Sequence, residues 1–140
     1  MKKTTKSVSA HEALIYAMVT LSASDRTMTD NELMKIGDIV KTLPVFLGFD
    51  EKRLITTAEA CGRLLQEDDG LDRILSTIAA SLPPRLYDTA YALAVEVAAA
   101  DLHVEQEELR FLQMLRDTLN LDKLTVAAIE AGARARHRTA

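Results

Sequence analysis

Carboxylate side chains recur with one spacing at two places in the chain. Asp25 and Glu32 are separated by the same number of residues as Asp101 and Glu108, with an apolar residue inside each pair. Carboxylate oxygens are the ligands that hard divalent cations prefer. Glu105 adds a carboxylate to the second pair, so one hypothesis gives a metal-binding role to Asp25, Glu32, Asp101, Glu105 and Glu108.

A structural role explains part of the same pattern. Thr29 and Glu32 have the spacing of a capping box, in which the side chain of each residue bonds to the backbone N–H of the other at a helix start. Met28 and Leu33 have the spacing of a hydrophobic staple. Glu108 occupies the corresponding position at the second place. Capping therefore accounts for both glutamates without an ion.

Capping accounts less well for Asp25 and Asp101. Each is expected near the carboxyl end of a helix, where the helix dipole disfavours an anion by about 0.3–1 kcal/mol. Either hydrogen bonds from N–H groups of the next helix or a bound cation could offset this unfavourable interaction with the dipole. His103 lies near Asp101, but the further nitrogen or sulfur ligands of a zinc site are missing. Neither segment has the about 12 residues and central glycine of a calcium loop, so capping is favoured and the cation is the alternative.

The elements that must position these side chains are predicted to be helices. Apolar residues recur every three to four positions, and the chain has too few turn residues, with Gly 5 and Pro 3, for an all-β protein. Start and stop signals divide the chain into about seven helices. Their predicted spans are 9–24, 30–43, 50–66, a short helix after Gly70, 83–100, 105–119 and 122–133.

The first and last parts of this layout resemble each other. At an offset of 76 residues, identical residues coincide over the first helix, the acidic segment and the second helix. A slightly smaller offset then aligns Gly48 with Asn120, two residue types that tolerate the left-handed conformation, and aligns Asp50 with Asp122, two good caps. The sequence thus predicts an all-α fold of two pseudo-symmetric three-helix units joined by the fourth helix.

Charge is segregated along the chain. All 21 Asp and Glu lie between residues 7 and 133, whereas both ends are basic. We therefore expect a flexible basic tail over 1–8, an acidic helical domain over 9–133 and a second flexible basic tail over 134–140. The end residues concerned are Lys2, Lys3, Lys6, Arg134, Arg136 and Arg138. No nucleic-acid partner is expected, because neither clustered cations on a folded face nor stacking aromatics are present.

Cys61 is the single cysteine, and it shares a predicted helix face with Leu54, Ala58 and Leu65. We expect it to be buried, and we expect a reducing, cytoplasmic location because no intrachain disulfide can form. No apolar run of about 18 residues is present, so an integral membrane protein is not expected. No nucleophile, base and orienting group can be assembled from this sequence, so an enzyme is not expected either.

With these motifs, the chain resembles the TerB-like tellurite-resistance family, which includes the N-terminal domain of the membrane co-chaperone DjlA. The resemblance covers residues 10–133 and rests on two Ala-rich helices that end in Asp, each followed by an apolar residue and a Glu. The segments Leu47-Gly48-Phe49-Asp50 and Leu119-Asn120-Leu121-Asp122 complete it. It implies an all-α fold, a link to stress responses and no enzymatic activity, and it places the family's acidic positions on Asp25, Glu32, Asp101 and Glu108.

Two functions follow as expectations. The first is a non-catalytic stress-response protein whose acidic surface binds a protein partner in a membrane-associated stress complex. The alternative is a metal-cation-binding protein that uses the repeated acidic segments. No cofactor is expected apart from a divalent cation in that alternative, and the oligomeric state is left open.

Overall fold

The computed structural model describes residues 7–23, 28–100 and 105–140. These residues form seven α-helices and no strand, which confirms the predicted fold class. Three single-turn 3-10 helices accompany them, at Pro44–Phe46, Glu51–Arg53 and Pro84–Leu86. The α-helices are α1 (Ala10–Ser22), α2 (Asp30–Thr42), α3 (Leu54–Leu65), α4 (Gly70–Ser81), α5 (Tyr87–Ala100), α6 (Gln106–Thr118) and α7 (Lys123–Arg136).

Helices α1 and α5 form the centre of the molecule. Every residue of α1 from Ala13 to Ser22 is buried, and α5 buries half of its residues and exposes only Asp88. A helix that is covered on all sides has to be surrounded by other helices. The two helices pack against each other, α3 packs along α1, and α7 packs along α5. The core is therefore a central helix pair with one further helix on each side.

The arrangement of contacts is similar in the two predicted units. Helix α1 contacts α2 and α3, and α5 contacts α6 and α7 in the corresponding order. Helix α4 connects the two sets and contacts α1, α3 and α6. The superposition of one unit on the other stays a prediction, although the contact order is the one that it requires.

The turns that precede α3 and α7 have the predicted local chemistry. Gly48 has φ 86° and Asn120 has φ 53°, so both adopt the left-handed conformation. Each is followed by an aspartate cap: Asp50 accepts a hydrogen bond from the N–H of Lys52, and Asp122 accepts one from the N–H of Thr125. Asp122 therefore caps α7 as predicted. Asp50 instead caps the 3-10 turn Glu51–Arg53, so α3 begins at Leu54 rather than at residue 50 and has no side-chain cap.

Helix α7 is longer than predicted. It ends at Arg136 rather than near residue 133, so Arg134 and Arg136 belong to the helix and not to a flexible tail. At the other end, the N–H of Val8 donates to Ser81 Oγ at 2.9 Å, which attaches that part of the predicted tail to the end of α4. Helix α7 thus continues past residue 133, and Val8 contacts the folded domain.

None of the helices in the described ranges is long and apolar enough to span a bilayer.

Cys61 lies in the core, as predicted. Its side chain has no exposed surface and its sulfur lies 3.4 Å from Thr20 Oγ1. Burial raises the pKa of the thiol to about 12, because the thiolate would be poorly solvated there. A thiol in this state reacts slowly, since the thiolate is the nucleophile.

We predict that native-state labelling of Cys61 by a disulfide reagent is slower than labelling of the unfolded chain by roughly a thousandfold or more, because it requires opening of the core. The measurement is the rate of thiol release with and without guanidinium. Ser76→Cys combined with Cys61→Ala is the matched control, since Ser76 is exposed on α4. Equally fast labelling of Cys61 and the control cysteine would contradict the core assignment.

Candidate functional site at the acidic helix junctions

The first junction leads into α2 through a complete capping box. The N–H of Glu32 donates to Thr29 Oγ1 at 3.2 Å, and the N–H of Thr29 donates to Glu32 Oε1 at 2.8 Å. Met28 and Leu33 are both half-buried against the core, as a hydrophobic staple requires. The capping role predicted for Glu32 is therefore confirmed.

The second junction leads into α6 with a glutamate at the cap position. Glu105 has the extended backbone of a cap residue, and its N–H donates to Glu108 Oε1 at 2.9 Å. Glu108 is only 4% exposed, whereas Glu32 at the first junction is half-buried. A buried carboxylate is tolerated where it accepts hydrogen bonds, and the start of a helix supplies both donors and a favourable dipole. The predicted capping role of Glu108 is confirmed.

A lysine side chain connects the two junctions. Lys35 lies in the second turn of α2, and its Nζ donates to the carbonyl oxygen of Ala100 at 3.4 Å. Ala100 is the last residue of α5, directly before the second junction. The ammonium group thus places positive charge at the carboxyl end of α5, where the helix dipole favours it. The start of α2 and the end of α5 are therefore within the reach of one side chain.

The exposed carboxylates at these junctions share a position in their helices. Asp30 lies in the first turn of α2 and Glu107 in the first turn of α6, while Glu105 caps α6. All three side chains are exposed to solvent. Negative charge in a first turn is stabilised by the dipole, which explains why acidic residues collect there. Each helix start therefore carries exposed negative charge, and we define Asp30, Glu105 and Glu107 together as the acidic surface.

The hypothesised metal ligands are only partly within the described residues. Asp25 and Asp101, together with His103, lie outside them. Glu32 and Glu108 each use one carboxylate oxygen in the capping interactions. Among the residues that the structure describes, no group of three or more His, Cys, Asp or Glu could hold a metal ion. The cation hypothesis therefore depends on Asp25 and Asp101.

Two polar clusters on α5 and α7 were not predicted. Tyr91 is fully buried, donates to Glu130 Oε2 at 2.5 Å and accepts from Arg116 Nη1 at 3.2 Å. Burial, followed by the hydrogen bond to Glu130, raises the pKa of Tyr91 to about 12. This cluster joins α5, α6 and α7, since each helix contributes one of the three side chains.

The second cluster holds the end of α7. Glu96 of α5 pairs with Arg136 through one carboxylate oxygen and contacts the His137 ring through the other. Partial burial acts to raise the pKa of Glu96, but the hydrogen bonds from Arg136 and His137 outweigh it and lower that pKa below its usual range. A signal for this cluster was present in the sequence, because Glu96 interrupts an otherwise apolar helix and the nearby cations are at the chain end.

Comparison with known proteins identifies the family of the chain. The family model for tellurite resistance protein TerB matches residues 11–131. No curated protein and no solved structure matches the chain. Because the family match covers most of the chain, the chain belongs to the TerB tellurite-resistance family.

We predict that Glu108→Ala lowers the free energy of unfolding by about 1–2 kcal/mol, because it leaves the N–H of Glu105 without its acceptor. Glu108→Gln keeps an acceptor oxygen and should recover most of this loss. The measurement is urea unfolding, with Glu107→Ala as a control that should change stability by less than about 0.5 kcal/mol. Equal losses in Glu108→Ala and Glu107→Ala would contradict the cap.

We predict that Glu96 stabilises the protein only where it is ionised. Its folded-state pKa is lowered, so its contribution is complete above the pKa of the unfolded chain, about 4.3, and is lost as the pH falls through the lower folded value. Glu96→Gln should cost about 0.5–1 kcal/mol near pH 6 and less near pH 3. Unfolding at both pH values measures this, with Asp88→Asn on the same helix as control. A pH-independent cost would contradict the ion-pair account.

Proposed function

We propose that the chain is a non-catalytic stress-response protein of the tellurite-resistance type whose acidic surface binds a basic protein partner. The family membership supports the stress-response role. The observation that carries the interaction role is the exposure of Asp30, Glu105 and Glu107 at two helix starts that Lys35 brings within reach of each other. We further propose that the partner belongs to a membrane-associated stress complex and that binding takes place in the cytoplasm.

The charge at this surface suits a partner that presents Lys or Arg. A single exposed ion pair contributes little to affinity, so the proposal depends on several carboxylates acting together. Such a surface mainly accelerates association and selects the partner by charge. Binding should therefore weaken as the salt concentration rises, because exposed charges are screened over about 10 Å at 0.1 M salt.

The absence of catalysis is part of the proposal and is supported by the state of the candidate nucleophiles. Cys61 is buried with a raised pKa. The His11 ring pairs with the carbonyl oxygen of Val45 and packs against Phe46 and Phe49, which is a structural environment. Cys61 and His11, two described side chains whose chemistry could serve catalysis, thus have packing roles.

The proposed function is tested by complementation of a strain that lacks this chain. We expect the wild type to restore growth on tellurite and Asp30→Asn with Glu107→Gln to fail, because the acidic surface is weakened. The matched control is Asp72→Asn with Asp88→Asn, which removes the same charge from exposed positions in the first turns of α4 and α5.

Equal expression and equal melting temperatures of the two double variants are needed for the comparison. If the acidic-surface variant restores full growth, the interaction role is wrong. If the strain without the chain grows on tellurite as well as its parent, the stress-response role is wrong.

A second candidate function is the binding of a divalent cation at the junctions. It is favoured by the crowding of Glu105, Glu107 and Glu108 at the start of α6, next to the position of Asp101 in the sequence. In this proposal the oxygen ligands at the first junction come from Asp25 and Glu32. Those at the second junction come from Asp101, Glu105 and Glu108.

The cation proposal predicts that Ca²⁺, Mg²⁺ or Zn²⁺ at 100 times its dissociation constant stabilises the protein by about 2.7 kcal/mol. The gain should vanish in Asp101→Asn, which keeps a capping oxygen but removes the charge. Calorimetric titration and thermal melting measure it. No heat and no change in melting with any of the three ions would exclude the cation proposal, while leaving the acidic surface as the site.

A further inference from the structure

An apolar groove borders the first acidic junction. It lies between the end of α1, the start of α2 and the length of α3, and its volume is about 490 Å³. This volume lies within the range of sites that bind ligands in other proteins. The groove is lined mainly by apolar side chains, of which Ile55 is 59% exposed. The main apolar residues are Val19, Met28, Leu33, Ile55, Ala58 and Leu65.

The groove is elongated along α3. Its lining residues on that helix extend from Ile55 to Gln66. At 1.5 Å per residue, this distance is roughly 16 Å, which corresponds to about three turns of another helix. An elongated apolar surface of this length fits a helix better than it fits a compact small molecule.

Gly62 lies in α3 on the groove and is not required by the packing of the core. A methyl group added at its Cα would meet no atom of the described residues within 4 Å, so a larger residue could be accommodated there. Glycine destabilises a helix relative to alanine. The effect of glycine at this position is to keep the groove open between Ala58 and Gln66.

Carboxylates border the groove. Among the lining residues that the structure describes, Glu59 is the charged one, and its side chain is exposed. Asp30 and Glu32 lie in the same turn of α2 that contributes Leu33 to the groove. Arg63 is also exposed on α3, but it is not among the lining residues. The groove therefore combines an apolar floor with negative charge at its border.

We propose that this groove binds the apolar face of a basic amphipathic helix presented by the partner protein. The inference rests on the proposed function, because it identifies the kind of partner that the adjacent acidic surface selects. Apolar side chains at positions i, i+3, i+4 and i+7 of the partner helix enter the groove, as in other helix-in-groove complexes. Its lysine and arginine side chains pair with Glu59 and with the carboxylates at the start of α2.

The test uses labelled synthetic peptides of about 14 residues and fluorescence anisotropy. The basic peptide has leucines at i, i+3, i+4 and i+7 and lysines on the other face. A second peptide has the same composition in an order that separates the leucines, and a third replaces each lysine by glutamate. We expect the wild-type protein to bind the basic amphipathic peptide at least about tenfold more tightly than either control peptide.

Two pairs of protein variants locate the binding. Gly62→Leu fills the groove and should weaken binding at least about tenfold, whereas Thr56→Leu adds a leucine at an exposed position of α3 outside the groove and should not. Glu59→Gln should weaken binding a few-fold, and Asp72→Asn should not. Because Gly62 has open space around it, Gly62→Leu should melt at or above the wild-type temperature, which separates blocked binding from unfolding.

The proposal is overturned if Gly62→Leu binds the basic peptide like the wild type, or if the reordered or acidic peptide binds equally well. It is also overturned if sedimentation shows a dimer that Gly62→Leu dissociates, because the groove would then bind a second copy of this chain. Complementation separates this inference from the proposed function. If Gly62→Leu restores full growth on tellurite while the acidic-surface variant does not, the groove proposal falls and the function stands. The reverse result removes the interaction role of the acidic surface and leaves the groove as the site on which growth on tellurite depends.

Discussion

The packing of α1 against α5 is the interaction on which the rest of the structure depends. Both helices are buried or half-buried over most of their length, so neither could be stable in water without the helices around it. Alanines recur along both, at Ala13 and Ala17 in α1 and at Ala90, Ala94 and Ala98 in α5. Small side chains of this kind allow helix axes to approach closely. The other five helices cover this pair from the outside.

This central pair constrains the helix junctions. A short junction follows each of the helices α1 and α5. The helix after each junction has to start at a defined position to cover the core. The capping interactions at Thr29 and Glu105 define those positions. Because a helix start favours negative charge, the same constraint places exposed carboxylates at the starts of both α2 and α6. The acidic surface on which the proposed function rests is thus a consequence of how the central pair is covered.

The sequence was sufficient to predict those features that depend on local interactions. The number and approximate positions of the helices, the capping box at Thr29 and the left-handed residues Gly48 and Asn120 were predicted, because each is determined by residues close together in the chain. Burial of Cys61 followed from helical periodicity. The family could be recognised for the same reason, since its motifs are local.

The features that were missed depend on residues far apart in the chain. Helix α7 extends to Arg136, whose side chain pairs with Glu96 of α5, a residue far away in the sequence. The groove is a space left between three helices, and periodicity gives no information on such spaces. In the sequence, only Gly62, a glycine within a predicted helix, could have indicated the groove. The side chains of Asp25 and Asp101 lie outside the described residues, so the cation hypothesis depends on titration.

Amide hydrogen exchange of the native protein tests the central role of the α1–α5 pair most directly. If these two helices are the centre of the fold, their amides should open only in global unfolding and should exchange with the same, highest protection. The amides of α2 and α6, which cover the pair and bury fewer residues, should exchange earlier. Exchange of α1 or α5 at the rate of α2 would contradict the account, because the helices proposed to depend on the pair would then be at least as stable as the pair itself.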